Sequence, residues 1–324
     1  MEPSRGAVRA QRALAAFLLA AAMGAAVVEH GSPLAERIRA GKPWPFWLCA
    51  REPGKTKIPV FHLGVYEPIQ RRLVLIHLPE QTKLEGKLTL GRAYMDALRA
   101  SDNDGAAARA AEDLAQGRVS ALSLEPIDWE GAGRLNAEID AEQDDLEYAA
   151  AAVRVLKTRG RSPRAWATLA GGAIRGLLGG DKTAADPFLF ALETRRIPFE
   201  RLEPALLPDD ASAPAFLAQV FAPTPSAADD GRANVVEVLN GTDRQGLAAQ
   251  AAKVLRSHGV DVISLGAASR PRSRTVIYDR TGLFARAARV RKALGCPAAI
   301  AVTRIDVLRG VDASVELGGD CVKY

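Results

Sequence analysis

Histidine and cysteine are scarce in this chain, with four and three residues respectively among 324. His30, His62, His77 and His258 are scattered and lack the paired His or Cys spacing that binds zinc. Cys49, Cys296 and Cys321 form no metal spacing either, and an odd number cannot all pair within one chain. They read as isolated thiols, with a Cys296–Cys321 bridge as the alternative for an exported protein. No Gly-x-Ser-x-Gly nucleophile motif occurs. Residues 176–183, Gly-Leu-Leu-Gly-Gly-Asp-Lys-Thr, resemble a phosphate loop only superficially. The glycine required before the lysine is Asp181, and the stretch follows a predicted helix instead of a strand, so it reads as a helix-ending turn. Aromatic residues make up only 6% of the chain, which points to aliphatic, helix-rich cores.

What is present is an ordinary globular balance, 48% apolar and 25% charged, in a chain long enough for two domains. The net charge of +5 is unevenly placed. Residues 234–324 hold 14 Lys and Arg against 8 Asp and Glu, a local excess of +6. A basic unit of this kind suits an acidic partner such as a nucleic acid, a membrane surface or an anionic polymer, or else is a solvated surface.

At the N-terminus Arg5, Arg9 and Arg12 precede an uncharged run over residues 13–28. A basic start before an apolar stretch is an export signal. The run is alanine-rich and short for a full span, and it is read as a retained signal anchor, with a cleaved signal peptide as the alternative over residues 1–28. Residues 29–57 carry many Pro and Gly and read as a spacer with a short helix over 34–40. Trp44, Phe46 and Trp47 lie inside it, and packing onto the next domain is their simplest role. An α/β domain is expected over 58–207. Strands are predicted at 60–65 and 73–78 as a hairpin, then at 119–124 and 188–192, with helices at 89–99, 106–116, 146–158 and 163–178. Residues 208–233 read as a linker containing a small apolar island at 216–221.

The clearest signals lie in residues 234–324. Val235 to Leu239 is a β-branched strand, and Asn240-Gly241 is turn chemistry. Thr242 or Asp243 is placed to cap a helix whose apolar stripe is Leu247, Ala251, Val254 and Leu255. Gly259 ends that helix and a strand follows over 260–265. A strand at 275–278, a helix striped by Leu283, Ala287, Val290 and Leu294, and strands at 298–302 and 313–317 complete a β-α-β-β-α-β order with one added strand. Arg270, Arg272 and Arg274 alternate into a strand and share one side if the backbone there is extended, so they form a candidate anion-binding edge. Asn240, Gly241 and Thr242 at the helix start are a second candidate.

The set Val-Val-Glu-Val-Leu-Asn-Gly-Thr, Gly246-Leu247-Ala248, Gly259-Val260-Asp261-Val262, the strand at 273–278 and the closing Glu-Leu-Gly-Gly-Asp resembles the C-terminal domain of LytR-CpsA-Psr cell-envelope proteins. The central segment resembles the catalytic domain of the same family. Its Ser-Ile-Pro-Arg-Asp-Thr pattern corresponds to His77-Leu78-Pro79-Glu80-Gln81-Thr82, followed by Lys87-Leu88-Thr89 and Ala93-Tyr94. Glu80 and Gln81 stand where the family pattern has arginine and aspartate, and a glutamate repels the phosphates that an arginine holds by bidentate bonds. The expectation is therefore an α/β (α+β) protein with an N-terminal membrane helix, a degenerate central domain and a small C-terminal sheet domain. The resemblance implies a single-pass cell-membrane protein with its bulk outside the cytoplasm, or an exported soluble one. It would be non-catalytic and cofactor-free, and would bind an anionic cell-wall polymer or an envelope protein. The alternative is a divergent phosphotransferase attaching lipid-linked glycopolymers to peptidoglycan with Mg2+. No nucleic-acid partner is expected, since no helix-turn-helix pattern is found.

Overall fold

The computed structural model describes residues 31–51, 58–139, 145–158, 163–208, 211–222, 232 and 234–321. In chain order the elements begin with α1 (Pro33–Ala40), β1 (Trp44–Arg51), β2 (Val60–Glu67), β3 (Arg72–Leu78), α2 (Leu90–Ser101) and α3 (Asp104–Leu122). There follow β4 (Gly133–Glu138), α4 (Asp145–Thr158), α5 (Pro163–Leu178), α6 (Asp186–Arg196), β5 (Leu202–Leu206) and α7 (Ala213–Phe221). The C-terminal part comprises β6 (Val235–Asn240), α8 (Leu247–Ser257), β7 (Asp261–Ala267), β8 (Val276–Asp279), α9 (Phe284–Leu294), β9 (Ile300–Thr303) and β10 (Ala313–Leu317). All ten strands form one mixed sheet, ordered β4-β1-β2-β3-β5-β9-β8-β10-β6-β7.

Local chemistry explains most boundaries. Ser32 caps α1, accepting a hydrogen bond from the Ala35 amide, and Pro33 opens the helix where no amide donor is needed. Asn103 does the same for α3 through the Ala106 amide. In β2, Phe61, Leu63 and Val65 face one core with Trp47, Val74 and Ile76, while Tyr66 on the other face joins Trp44, Phe46 and Leu75. In the C-terminal part, α8 and α9 cover one face through Leu247, Ala251, Leu255, Ala287, Val290 and Leu294. The strands and both helices expected there are present, with Leu283 just before α9 and Val254 only half-buried, and Gly259 has the left-handed φ of 78°.

Several expectations are corrected. Residues 119–124 are not a strand: Val119 continues the buried Ala111–Ala115 stripe, so α3 runs on to Leu122. Residues 188–192 lie in α6, where Phe190, Ala191 and Thr194 are buried at helical spacing. Within the expected spacer, Trp44–Arg51 is the strand β1, paired antiparallel with β2 and parallel with β4. Its Trp44, Phe46 and Trp47 are core residues at 0–2% exposure. Within the expected linker, Ala213–Phe221 is α7, burying Phe216, Leu217 and Val220. The membrane-helix part of the fold class is corrected too. Among the described residues no helix is long and apolar enough to cross a membrane, and the run at 13–28 lies outside them. The fold described is a mixed α/β structure on one sheet.

The two halves of that sheet meet at β5 and β9, which run parallel with a single register pair, Ala205↔Thr303. Helix α4 covers the seam: Ala150 packs with Val276, Tyr278, Ile300 and Val302 of the C-terminal strands. From α7, the Gln219 side-chain amide donates to the Gly282 carbonyl at 2.6 Å. At the same junction Asp279 is buried and accepts from the Thr281 amide and hydroxyl, the Gly282 amide and the Thr303 hydroxyl. Burial raises its pKa to about 6 against those hydrogen bonds.

Cys296 and Cys321 are joined in a disulfide, while Cys49 is a buried thiol. The reading of three isolated thiols is therefore corrected for two of them. The bridge ties the end of α9 to the turn after β10 across 25 residues. A loop of that length restricts the unfolded chain by about 3 kcal/mol. Thermal unfolding of the full chain with and without reductant should show a loss of that order. A transition that ignores reductant would mean the bridge adds nothing to stability.

Candidate functional site

The candidate residues of the C-terminal part converge at one end of the sheet. β6 ends at Asn240, whose side-chain oxygen accepts from the Thr242 amide at 3.0 Å and the Thr242 hydroxyl at 2.8 Å. Its side-chain nitrogen donates to the Arg244 carbonyl, and the Thr242 hydroxyl accepts from the Arg244 amide. Asn240 and Thr242 thus build a self-satisfied turn. Helix α8 starts later than expected, at Leu247, after Gly246 in a left-handed conformation, so neither Thr242 nor Asp243 is its cap.

Gly241 closes a three-way backbone junction. Its amide donates to the Leu317 carbonyl at 3.0 Å, its carbonyl accepts from the Arg272 amide at 2.8 Å, and the Gly319 amide donates to the Arg272 carbonyl. A Cβ at Gly241 would stand 2.7 Å from the Leu317 oxygen, and one at Gly318 would stand 2.3 Å from the Arg274 carbonyl carbon. Two glycines let three segments touch through their backbones.

Residues 273 and 274, like 269 and 270, form bends, so the three arginines do not share a side. Arg270 and Arg274 are exposed. Arg272 turns inward: its Nε donates to Glu316 at 2.7 Å and a terminal nitrogen donates to the Tyr278 hydroxyl at 2.7 Å. The Arg272 and Glu316 side chains are each 11% exposed. The network continues across the face opposite α8 and α9. Arg280 stacks on Tyr278 at 4.5 Å and donates to the Ser314 hydroxyl, and Arg309 pairs with Glu237 and Asp306. Burial, followed by the repulsion of Arg309 and Arg304, pulls the Arg280 pKa below its ordinary value. The surface is basic, but its inner arginines are structural.

Residues 234–319 match the family model of the LytR cell envelope-related transcriptional attenuator. The matched LytR-type domain takes in β6 through β10 and the whole Gly241–Arg272 junction, which ties the Asn-Gly-Thr and Leu-Gly-Gly sequences to one piece of geometry. The match does not extend to the central segment. No curated protein and no solved structure matches the chain.

Of the central candidate residues, Pro79 to Thr82 form a turn, and Tyr94 lies in α2. Pro79 to Thr82 leads from β3 toward α2, with the Thr82 amide on the Pro79 carbonyl and the Gly91 amide on the Glu80 carbonyl. Glu80, Gln81 and Lys87 are exposed, and the Gln81 amide reaches the Glu80 carboxylate at 3.3 Å. Tyr94 is buried, and its hydroxyl donates to Asp104, which pairs with Arg51 at 2.5 Å. Burial, then the Asp104 contact, raises the Tyr94 pKa to about 12. Among the described residues, Glu80 belongs to no group of three or more His, Cys, Asp or Glu side chains close enough to share a cation. The group among the described residues with metal-ligand spacing is Cys296, Asp320 and Cys321, and its two sulfurs are tied in the disulfide.

Sequence reasoning missed one juxtaposition. His62 and His77 are register partners on β2 and β3, buried with ring centroids 5.0 Å apart. Burial, with His77 adding to it, holds the His62 pKa well below the ordinary range. Two histidines 15 positions apart become legible as neighbours only when the hairpin register is known.

Proposed function

We propose that this protein works in the cell envelope as an exported, non-catalytic binding protein whose LytR-type domain takes an anionic cell-wall polymer or an envelope partner. The observation that carries the reading is the match over residues 234–319, on a unit with a +6 charge excess. The exposed Arg270 and Arg274 flank Arg272, whose backbone is bonded to Gly241 and Gly319. The Cys296–Cys321 bridge suits an oxidising compartment outside the cytoplasm. Catalytic silence is supported by the exposed Glu80 and Gln81 and by Tyr94 being engaged with Asp104.

The test is co-sedimentation of the full chain with isolated sacculi, with and without their anionic polymers. Binding should need the polymers and weaken as salt rises, because exposed charges are screened within about 8 Å at physiological ionic strength. The double variant Arg270→Ser/Arg274→Ser should lower the bound fraction severalfold. Binding indifferent to polymer, salt and both substitutions would reject the reading.

A further inference from the structure

The seam between the two halves of the sheet contains a cleft. β5 and β9 share only the pair Ala205↔Thr303, and toward their N-terminal ends Leu202, Pro204 and Ile300 line an opening of about 130 Å³. Helix α4 adds Val153 and Arg154 to the lining, and α9 adds Arg291. The Arg291 guanidinium lies 4.9 Å over the ring of Phe199, which is itself 45% exposed at the edge of the cleft. Among the described residues Arg291 makes no ion pair. Burial pulls its pKa below the ordinary value, and Glu200 is the acid that acts on it. A half-buried guanidinium over an apolar cleft has lost hydration without gaining a carboxylate, which is unfavourable until an anion completes it.

We propose that this cleft binds a small amphiphilic anion, a single ring or a chain of about six carbons bearing one carboxylate or phosphate, since cavities near 150 Å³ accept a benzene-sized group. The anionic head meets Arg291, and the apolar body packs on Val153, Leu202, Pro204 and Ile300. The Phe199 ring, already under Arg291, offers a face on which an aromatic body can stack. Cys296 directly precedes the lining residues Pro297 and Ala298, so the disulfide anchors one lip. The site is separate from the arginine segment at 270–274, and does not depend on wall binding.

Calorimetric titration of the full chain with hexanoate, phenyl phosphate and hexanol tests this. Both anions should bind, with the alcohol at least about tenfold weaker. Arg291→Met should weaken the anions about tenfold and leave hexanol unchanged. If Arg291→Met fails to fold, Ala298→Trp at the exposed lip should block both anions. Equal affinity for hexanoate and hexanol, no binding by either anion at about 10 mM, which corresponds to only about 3 kcal/mol, or anion binding untouched by either variant would overturn the proposal.

Discussion

Arg272→Ser should lower the unfolding free energy by about 3–5 kcal/mol, while Arg274→Ser should change it by no more than about 0.5 kcal/mol. The two residues are two positions apart with the same charge, and nothing in their composition separates them. The difference is in what the guanidinium leaves behind. Removing Arg272 strips Glu316, 8% exposed in the sheet, of its cation, and takes a donor from the buried Tyr278 hydroxyl. A carboxylate so placed cannot recover its hydration without opening the face of β8 and β10. Arg274 is exposed, and its backbone, not its charge, is what lies against Gly318. Urea unfolding of both variants decides the matter. If Arg272→Ser is as mild as Arg274→Ser, the inward ion pair contributes little, and Arg272 rejoins the candidate anion-binding edge.

How far the sequence revealed this depends on the range of the interaction. The C-terminal strands and helices were legible because each is set by residues within a few positions: the Val235–Leu239 run, the Leu247–Leu255 stripe, Gly259 as a stop. The same reasoning failed where a local pattern had two readings. Val119 to Leu124 looks like a strand alone, yet Val119 extends an alanine stripe that began at Ala107. Phe188 to Leu192 has β-like composition, but Asp186–Arg196 coils so that Phe190 meets Trp44 and Phe46. Proline misled in β1, where Pro45 sits inside a strand and pairs in register with Val65. The site was legible in part. Asn240-Gly241 was correctly a turn, but Glu316, the partner that removes Arg272 from the surface, lies 44 residues away. The seam at Ala205↔Thr303 is more distant still, and no periodicity encodes it.

On β3, one strand from that seam, Arg72→Met should cost about 3–5 kcal/mol at pH 8, and at least about 1 kcal/mol less at pH 5.5. Arg72 holds two carboxylates. Its Nε and one terminal nitrogen form a bidentate pair with Glu203 at 2.9 and 2.8 Å, and the other terminal nitrogen meets Glu67 at 3.0 Å. All three side chains are at most 12% exposed. Burial raises the Glu67 pKa to about 7 despite the opposing Arg72, with Glu203 adding to the rise. Burial also raises that of Glu203. A carboxyl raised in the folded state favours folding fully below its unfolded pKa, near 4.5, and that contribution is lost as pH rises through the folded value. Without Arg72 both folded values move higher, so the loss deepens toward pH 8 and shrinks as the acids protonate. Glu67→Gln separates the two acids: it removes the surplus carboxylate and keeps the Arg72–Glu203 pair, so it should be neutral or stabilising at pH 8. Urea unfolding of both variants at the two pH values is the measurement. An Arg72→Met cost independent of pH would mean that lost packing of its aliphatic stem, not the stranded carboxylates, sets the effect.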